Sequence, residues 1–349
     1  MVATATVRVM SAEEIAARAA GETPFLHFPE RTTVFAEREM RLRQLSHGHV
    51  MSDYLSFMAD LAHGQQHQLD SLSGVTLPDQ RAIDVAAKRG TPPLPAADWP
   101  RDSMWHGVLR ALAQDLLGMA PAGVQPVLGR LLAADDVFLE RQADALLTGV
   151  ADGLDIAAAP IVAGALQVYW THMLLSVQHH HKSDGQPFGR IDDETVCPCC
   201  GSLPTASISR TAGESLGQRY LHCSLCGLQW HMVRIKCSHC LSTKGLAYEA
   251  LDAASADDVE GHHDPVSSQG ARAALATVQA ETCDECGHYL KIVHTDRDAS
   301  VDPVADDLAT LTLDLLVSDG GKTRHGVNFM LLFGDPGLPP DPSPETGGA

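Results

Sequence analysis

Apolar residues recur at helical spacing through the first 185 residues, and proline or glycine separates one such stretch from the next. The clearest stripe ends at Gly118 and consists of Trp105, Val108, Leu109, Leu112 and Leu116. Similar patterns predict helices at 11–21, 31–46, 51–72, 127–132 and 137–146. The long apolar stretch 156–177 fits a buried helix that the others surround. The pattern therefore predicts an all-α domain over residues 1–185.

The pattern changes after a polar linker at 179–189. Short runs alternate between apolar and polar positions, as in Leu228, Trp230 and Met232, and predict small β-hairpins of a zinc-ribbon or rubredoxin-like kind. Further on, Asp302 and Pro303 are an N-cap and first-turn pair that begins a predicted C-terminal helix at 301–321. Proline and glycine dominate 334–349, which we expect to be disordered. The fold class is thus α+β: an N-terminal all-α domain, two small β modules and a C-terminal helix.

All the cysteines lie between residues 197 and 286, and eight of them form four Cys-x-x-Cys pairs. The pairs are Cys197 with Cys200, Cys223 with Cys226, Cys237 with Cys240, and Cys283 with Cys286. Such a turn places two thiolates on one side of a tight loop, so two turns together can hold a metal ion in a tetrahedral four-sulfur site. The spacing therefore predicts two metal ions per chain.

Four pairs can combine into two sites in three ways. We favour sequential assembly, because it needs no chain crossing: residues 190–235 would form the first four-cysteine module and 236–300 the second. An interleaved cross-brace is the main alternative. Disulfides are a weaker alternative, because repeated Cys-x-x-Cys spacing is typical of metal ligands. The ninth cysteine, Cys199, has no partner in the pattern and is interpreted as a small apolar filler, with a redox-sensitive spare thiol as the alternative.

The net charge of −19 argues against non-specific binding to nucleic acid, although some four-cysteine ribbons bind it. The segment 197–244 is locally basic, and we expect Arg210, Arg219, Arg234 and Lys236 to form a face that contacts an acidic protein partner. The first 21 residues lack the apolar stretch of a signal peptide, so we expect a cytoplasmic protein. Polar residues interrupt 156–177, which argues for a buried helix and against a membrane span.

Eighteen histidines offer competing metal ligands. His63 and His67 stand four residues apart on a predicted helix, but the glutamate of a zinc protease motif is missing between them. We interpret them as solvated. Three histidines beside the cysteine pairs, His222, His231 and His239, could hydrogen-bond to sulfur or backbone without ligating the metal. The eight paired cysteines already complete two sites.

Several motifs together resemble the formate dehydrogenase accessory protein (FdhE) family. They are Cys-Pro-x-Cys-Gly at 197–201, Arg-Tyr-Leu-His-Cys-Ser-Leu-Cys at 219–226, Trp-His at 230–231, Lys-Cys-Ser-x-Cys at 236–240, Glu-x-Cys-x-x-Cys-Gly at 281–287, Tyr-Leu-Lys at 289–291 and Ala-Asp-Asp-Leu-Ala at 305–309. A looser match, including Leu-Gln-Val-Tyr-Trp at 166–170, extends the resemblance over nearly the whole chain.

The resemblance implies a cytoplasmic accessory protein for the maturation of respiratory formate dehydrogenase, which binds the molybdenum- or tungsten-containing catalytic subunit. It also implies two rubredoxin-like modules with iron as the favoured metal, although four thiolates accept zinc equally well. A closed four-sulfur site leaves no open position for substrate, so we expect no enzymatic activity. The alternative function is that of a small rubredoxin-type iron electron carrier.

Overall fold

The structure is a computed structural model that describes residues 23–150, 152–181, 187–212, 215–251 and 276–331. The helix predicted at 11–21 and the disordered tail predicted at 334–349 lie outside these residues. Seven helices precede the cysteine region in the described part: α1 Val34–Ser46, α2 Ser52–Ser71, α3 Gln80–Arg89, α4 Met104–Leu117, α5 Gln125–Ala133, α6 Asp136–Thr148 and α7 Ala159–His180.

Six of these helices follow the apolar pattern of the sequence, whereas α3 was not predicted. It buries only Ile83 and Ala86, too few apolar positions to stand out as a stripe. Its ends are nevertheless well defined. The Asp79 carboxylate accepts a hydrogen bond from the backbone N–H of Ala82 at the N-terminus, and Gly90 ends the helix in the left-handed conformation.

Helix α7 lies at the centre of the helical part and packs against α2, α4 and α6. It is long and apolar enough to cross a membrane, but 89% of its most apolar window is buried inside the protein. Burial on all sides is typical of a core helix, and it explains why the sequence shows almost no polar face.

The polar residues within α7 face specific partners. Gly164 lets α2 approach closely, because an added Cβ would lie 3.1 Å from the Leu61 side chain. The Gln65 amide of α2 donates to the Gly164 carbonyl at 3.0 Å and to the Gln167 side chain at 2.9 Å. Gln167 in turn donates to the carbonyl of Ser224 at 2.7 Å, between two paired cysteines. A continuous chain of hydrogen bonds therefore joins α2, α7 and the cysteine region.

The strands of the described residues are β1 Leu26–His27, β2 Pro204–Ala212, β3 Ser215–Cys223, β4 Gln229–His231, β5 Leu246–Glu249, β6 Val278–Cys283, β7 His288–His294 and β8 Thr323–Arg324. They form one sheet in the order β1-β4-β3-β2-β7-β6-β5, with β8 also beside β7. The predicted hairpins are present as the antiparallel pairs β2–β3 and β6–β7. A parallel pairing of β2 with β7, which aligns Ser207 with Ile292, joins the two modules into one sheet.

Strand β1 is a departure from the predicted all-α character of residues 1–185. Leu26 pairs with Trp230 and His27 with Gln229, so the segment before α1 extends the sheet at its edge. A strand of two residues is too short to show a periodic pattern in the sequence. The pairing exists only because the fold brings the ends of the two segments together.

The C-terminal helix predicted at 301–321 is two helices, α8 Pro303–Ala309 and α9 Leu311–Asp319, separated at Thr310. The buried Lys291 ammonium explains the break. It donates to the carbonyl of Asp307 at 2.7 Å and to the carbonyl and hydroxyl oxygens of Thr310 at 3.2 and 3.0 Å. These oxygen atoms accept hydrogen bonds from the buried ammonium of Lys291, and the chain turns at Thr310. Leu315, an apolar residue of the predicted helix, is 66% exposed on α9.

Two neighbouring acids fix α8 to the rest of the protein. Asp306 forms an ion pair of 2.6 Å with Arg41 of α1. Asp307, fully buried, contacts Lys291 of β7 at 3.2 Å and Arg324 of β8 at 2.8 Å. Burial alone would raise the pKa of Asp307, but the two cations outweigh it and lower that pKa below its ordinary value.

The main apolar core runs through the predicted boundary at residue 185. It includes residues of the helices, such as Trp170, the cysteines of the first two pairs, Trp230 of β4, and Leu308 of α8. The helical part and the first cysteine module therefore share one buried interior. The division of the chain at residue 185 stays a prediction, and the shared interior leads us to expect that the two parts unfold together.

His172 of α7 should make stability depend on pH. It is buried, and the Arg31 guanidinium lies 2.9 Å from its Nδ1. Burial, and then the charge of Arg31, lower the pKa of His172 to about 4. The unfolded chain therefore binds a proton that the native chain does not between roughly pH 6.5 and 4, and stability falls as the pH drops through this window.

We predict that His172→Gln, which accepts from Arg31 without titrating, reduces the stability lost between pH 7 and pH 5 by about 2 kcal/mol. Urea denaturation at the two pH values measures this. The matched control is His63→Gln, at an exposed site on α2. If the free energy of unfolding of His172→Gln falls between pH 7 and pH 5 as much as that of His63→Gln, His172 is not the group that makes stability depend on pH.

Candidate metal centres

The first two Cys-x-x-Cys turns bring four sulfurs together. Cys197 and Cys200 precede β2, Cys223 is the last residue of β3, and Cys226 lies between β3 and β4. The Sγ atoms of Cys197 and Cys226 are 3.6 Å apart, and Cys200 lies 3.4 Å from Cys223 and 3.8 Å from Cys226. Sulfurs about 2.3 Å from a central ion lie about 3.8 Å apart in a tetrahedron, so the group fits one metal ion.

The backbone of these turns is shaped around the sulfurs. The N–H groups of Leu225 and Cys226 both point at Cys223 Sγ, 3.4 Å away. Gly201 and Gly227 follow the turns with φ of +75° and +72°, a region that favours glycine. N–H groups directed at sulfur stabilise the thiolate, the form that binds a metal.

The last two turns make the second group, from Cys237, Cys240, Cys283 and Cys286. Its Sγ atoms are 3.8 Å apart for Cys237 with Cys286 and for Cys240 with Cys283. The structure thus has the sequential grouping that the sequence favoured over a cross-brace. All nine cysteines are free thiols, so the disulfide alternative is not realised.

The second group differs from the first in its surroundings. Every sulfur-bearing residue of the first group is at most 1% exposed. In the second group Cys240 is exposed and Cys286 is half-buried. Leu241 follows the third turn with φ of +62°, where the other three turns have glycine, so this turn is strained.

The thiols of the first group differ from one another in pKa when no metal is bound. Burial raises the pKa of Cys197 and of Cys226. Burial also acts to raise the pKa of Cys200, but hydrogen bonds from Cys197 and its neighbours lower it well below the ordinary value. Metal binding at this group must therefore release protons, so its affinity for metal falls in acid.

Cys199 lies inside the first turn but outside both groups of four. It is completely buried, and burial raises the pKa of its thiol to about 11. Its carbonyl accepts a hydrogen bond of 3.0 Å from the Leu94 N–H, in the proline-rich segment that follows α3. These contacts are those of a core residue.

An ion pair of 2.7 Å between Arg219 of β3 and Glu281 of β6 bridges the two cysteine modules, and both side chains are buried. Ser207 of β2 accepts from Arg219 at 3.1 Å and donates to Glu281 at 3.0 Å. Tyr248 of β5 donates to the second carboxylate oxygen of Glu281 at 3.0 Å. Every charged oxygen thus has a partner, as a buried carboxylate requires.

The predicted basic contact face is wrong for Arg219. Arg219 is 2% exposed and belongs to this interior pair. Arg210 donates to Gln229 at 2.8 Å, and Lys236 pairs with Glu194 at 2.5 Å. Arg234 alone of the four is both exposed and outside an ion pair with an acid in the described residues. A count of charges in the sequence does not show which cations the folded sheet buries.

The positions of the histidines agree only in part with the expectation from the sequence. His63 lies 2.9 Å from Glu39 and His67 lies 3.6 Å from Asp115, and among the described residues neither belongs to a group of three or more potential metal ligands. Two adjacent histidines of the sequence, His262 and His263, lie outside the described residues. His222 is buried, and neither ring nitrogen has a hydrogen-bond partner in the described part. His239, however, meets two histidines that the sequence did not single out, His288 and His325.

The fold and the two sites define a class of protein: a helical part joined to two zinc-ribbon-like modules, each with a four-cysteine cluster. Family models of FdhE match the chain in three consecutive parts, the N-terminal part at 23–185, the central domain at 196–234 and the C-terminal domain at 235–331. The chain belongs to the FdhE family.

Individual relatives agree with this assignment over nearly their full length. The FdhE homologue of Serratia proteamaculans is 35% identical over 334 residues, covering 94% of this chain and 99% of the relative. The homologue of Pseudomonas aeruginosa is 38% identical, covering 90% and 95%. The crystal structure of the FdhE protein from Pseudomonas aeruginosa superposes with a TM-score of 0.70 at 35% identity, covering 88% of this chain and 99% of that one.

Breaking the bridge between the modules should be costly. We predict that Glu281→Gln, which leaves the buried Arg219 without its counter-charge, lowers the free energy of unfolding by about 3–5 kcal/mol. The matched control is Glu194→Gln, which removes the partly exposed pair with Lys236 and should cost at most about 1 kcal/mol. Chemical denaturation of both variants measures the difference. Equal losses would show that the bridge does not hold the modules together.

Proposed function

We propose that each four-cysteine group binds one metal ion, so that the chain carries two. The ligands are Cys197, Cys200, Cys223 and Cys226 in the first site and Cys237, Cys240, Cys283 and Cys286 in the second. Sulfur spacings of 3.4–3.8 Å and the N–H groups directed at Cys223 support this proposal. Iron is favoured by analogy with rubredoxin-like modules, and zinc fits the same ligands.

The sites suit a binding protein better than an enzyme. Four thiolates complete a tetrahedron, so a metal held there has no open position for a substrate or an activated water. A metal in the first site would also be enclosed in the main core. Metal binding would then contribute directly to folding, on the order of 10 kcal/mol for a structural four-ligand site.

The function supported best is that of a cytoplasmic accessory protein for the maturation of respiratory formate dehydrogenase, acting by binding the catalytic subunit. The observation that carries it is the match to the FdhE family over most of the chain, with both four-cysteine groups assembled. Membership of this family does not favour the electron-carrier alternative. The net charge of −19 and the enclosed Arg219 argue against a nucleic-acid partner.

Elemental analysis of anaerobically purified protein tests the metal sites. We predict two metal ions per chain, and one in Cys240→Ala, because a tetrahedral site that loses a thiolate binds metal far more weakly. Cys199→Ala is the matched cysteine control and should retain two ions. A single ion in Cys199→Ala, or two firmly bound ions in Cys240→Ala, would reverse the ligand assignment.

Capture and complementation test the function. In a strain that lacks the gene, tagged wild-type protein should recover the formate dehydrogenase catalytic subunit and restore formate-dependent dye reduction. We predict that Cys240→Ala loses both activities and that Cys199→Ala keeps them. Antibody detection of the subunit in the captured fraction and the reduction rate in cell extracts are the measurements.

Two results would count against this function. If wild-type protein captures no catalytic subunit, binding of that subunit is wrong even if the metal content is two. If deletion of the gene leaves formate oxidation unchanged, the accessory role itself fails.

A further inference from the structure

Three histidines surround one side of the second four-cysteine group. The rings of His239 and His288 stack with centroids 3.7 Å apart and planes 11° from parallel. His325 meets the His239 ring edge-on, with centroids 5.0 Å apart. They come from three separate parts of the chain, the third cysteine turn, the start of β7 and the residue after β8. Their convergence is therefore a product of the fold.

The ligand atoms of this cluster lie close together, and the exposed His239 ring would turn out of the stack to share an ion with His288, because an imidazole binds a metal in its own ring plane. One ring nitrogen each from His239 and His288 and the Sγ atom of Cys286 all lie within 4.8 Å of one another. Cys286 is the one member that also belongs to the second four-cysteine group. Two imidazoles and one thiolate are a ligand set typical of zinc and related divalent ions, with a fourth position left to water.

Backbone contacts hold these residues in place. The N–H of His239 points at Cys237 Sγ, 3.4 Å away, so the cysteine turn fixes its backbone. The Nδ1 of His288 lies 2.9 Å from the Cys286 carbonyl, and donation to that carbonyl leaves the Nε2 lone pair available. A ring nitrogen donating to a carbonyl while the other ligates is the usual arrangement of a metal-binding histidine.

His325 adds a second, independent observation. Its backbone N–H donates to the Tyr289 carbonyl at 2.8 Å, which anchors it beside β7. The side chain is 8% exposed, and its Nε2 has no hydrogen-bond partner in the described residues. An unpaired buried ring nitrogen is costly, which suggests that a ligand or an ordered water supplies the missing partner.

We propose that His239, His288 and the shared thiolate of Cys286 form a third metal-binding position, specific for a divalent first-row transition ion. It differs from the four-sulfur sites in having three protein ligands and an open position. Exposure of His239 and Cys240 leaves it accessible to solvent. An ion here is bound more weakly than in the four-sulfur sites and exchanges with the medium, directly beside the second of them.

Equilibrium dialysis of untagged, full-length protein against Zn²⁺ tests the proposal. Starting from protein that carries two tightly bound ions, we expect a third, weaker equivalent. In the double variant His239→Gln and His288→Gln, two tight ions should remain. The third should bind at least about 100-fold more weakly, more than the loss of an outer hydrogen-bond partner costs. The matched control is His63→Gln with His67→Gln, which should keep three equivalents.

Repeating the titration with Co²⁺ adds a spectroscopic readout. The third equivalent should add a thiolate-to-cobalt charge-transfer band from Cys286, and the double variant should lack that increment. If the double variant loses its tight ions, the single variant His239→Gln replaces it, because that side chain is exposed. It should weaken the third ion at least about 10-fold and leave two tight ions.

Three outcomes would overturn the third site. They are a wild-type stoichiometry that stays at two under excess metal, a third ion whose affinity is unchanged in His239→Gln, and a third ion that survives the double variant. Survival would place the ion elsewhere, for example at His179 to His181. None of these results bears on capture of formate dehydrogenase, so this inference and the proposed function can fail separately.

Discussion

The contact between helix α7 and the first pair of cysteine turns is the constraint on which the rest of the structure depends. Gln167 donates to the carbonyl of Ser224, and Thr171 donates to the carbonyl of Cys226. Polar side chains inside a buried helix are tolerated because each finds a partner, and an unpaired carbonyl there would cost about 1–3 kcal/mol. These bonds fix the register of the helix against the turn.

The same interior unites parts that look independent in the sequence. The proline-rich segment after α3 donates from Leu94 and Ala96 to the carbonyls of Cys199 and Cys200. Trp170 of α7 donates to the Leu94 carbonyl at 3.3 Å. The segment therefore packs around the first Cys-x-x-Cys turn and is held there by hydrogen bonds. An ion held in the first group would act on the helical core through these contacts.

The two four-cysteine groups therefore differ in their surroundings, although their Cys-x-x-Cys spacing is the same. One lies in the main core, and the other lies at the far end of the sheet with a strained turn at Leu241 and a partly open surface. What joins them is the β2–β7 pairing and the buried pair of Arg219 with Glu281. A buried charge pair is costly to desolvate, but it is specific, because a shift in register would leave both charges unpaired.

The sequence by itself determined the features that are local. Cys-x-x-Cys turns, the helical stripes and the order of the modules follow from spacing and periodicity within a few residues, and the resemblance through Tyr-Leu-Lys at 289–291 and Ala-Asp-Asp-Leu-Ala at 305–309 gave the family. The tertiary structure decided what depends on residues far apart in the chain. Asp307 and Lys291 meet in a buried network, Arg219 is enclosed where a surface cation was expected, and a two-residue β1 joins the sheet. Likewise His239, His288 and His325 converge from three segments. Charge, burial and ligand geometry at these places are set by neighbours that only folding supplies, and no periodic pattern along the chain encodes them.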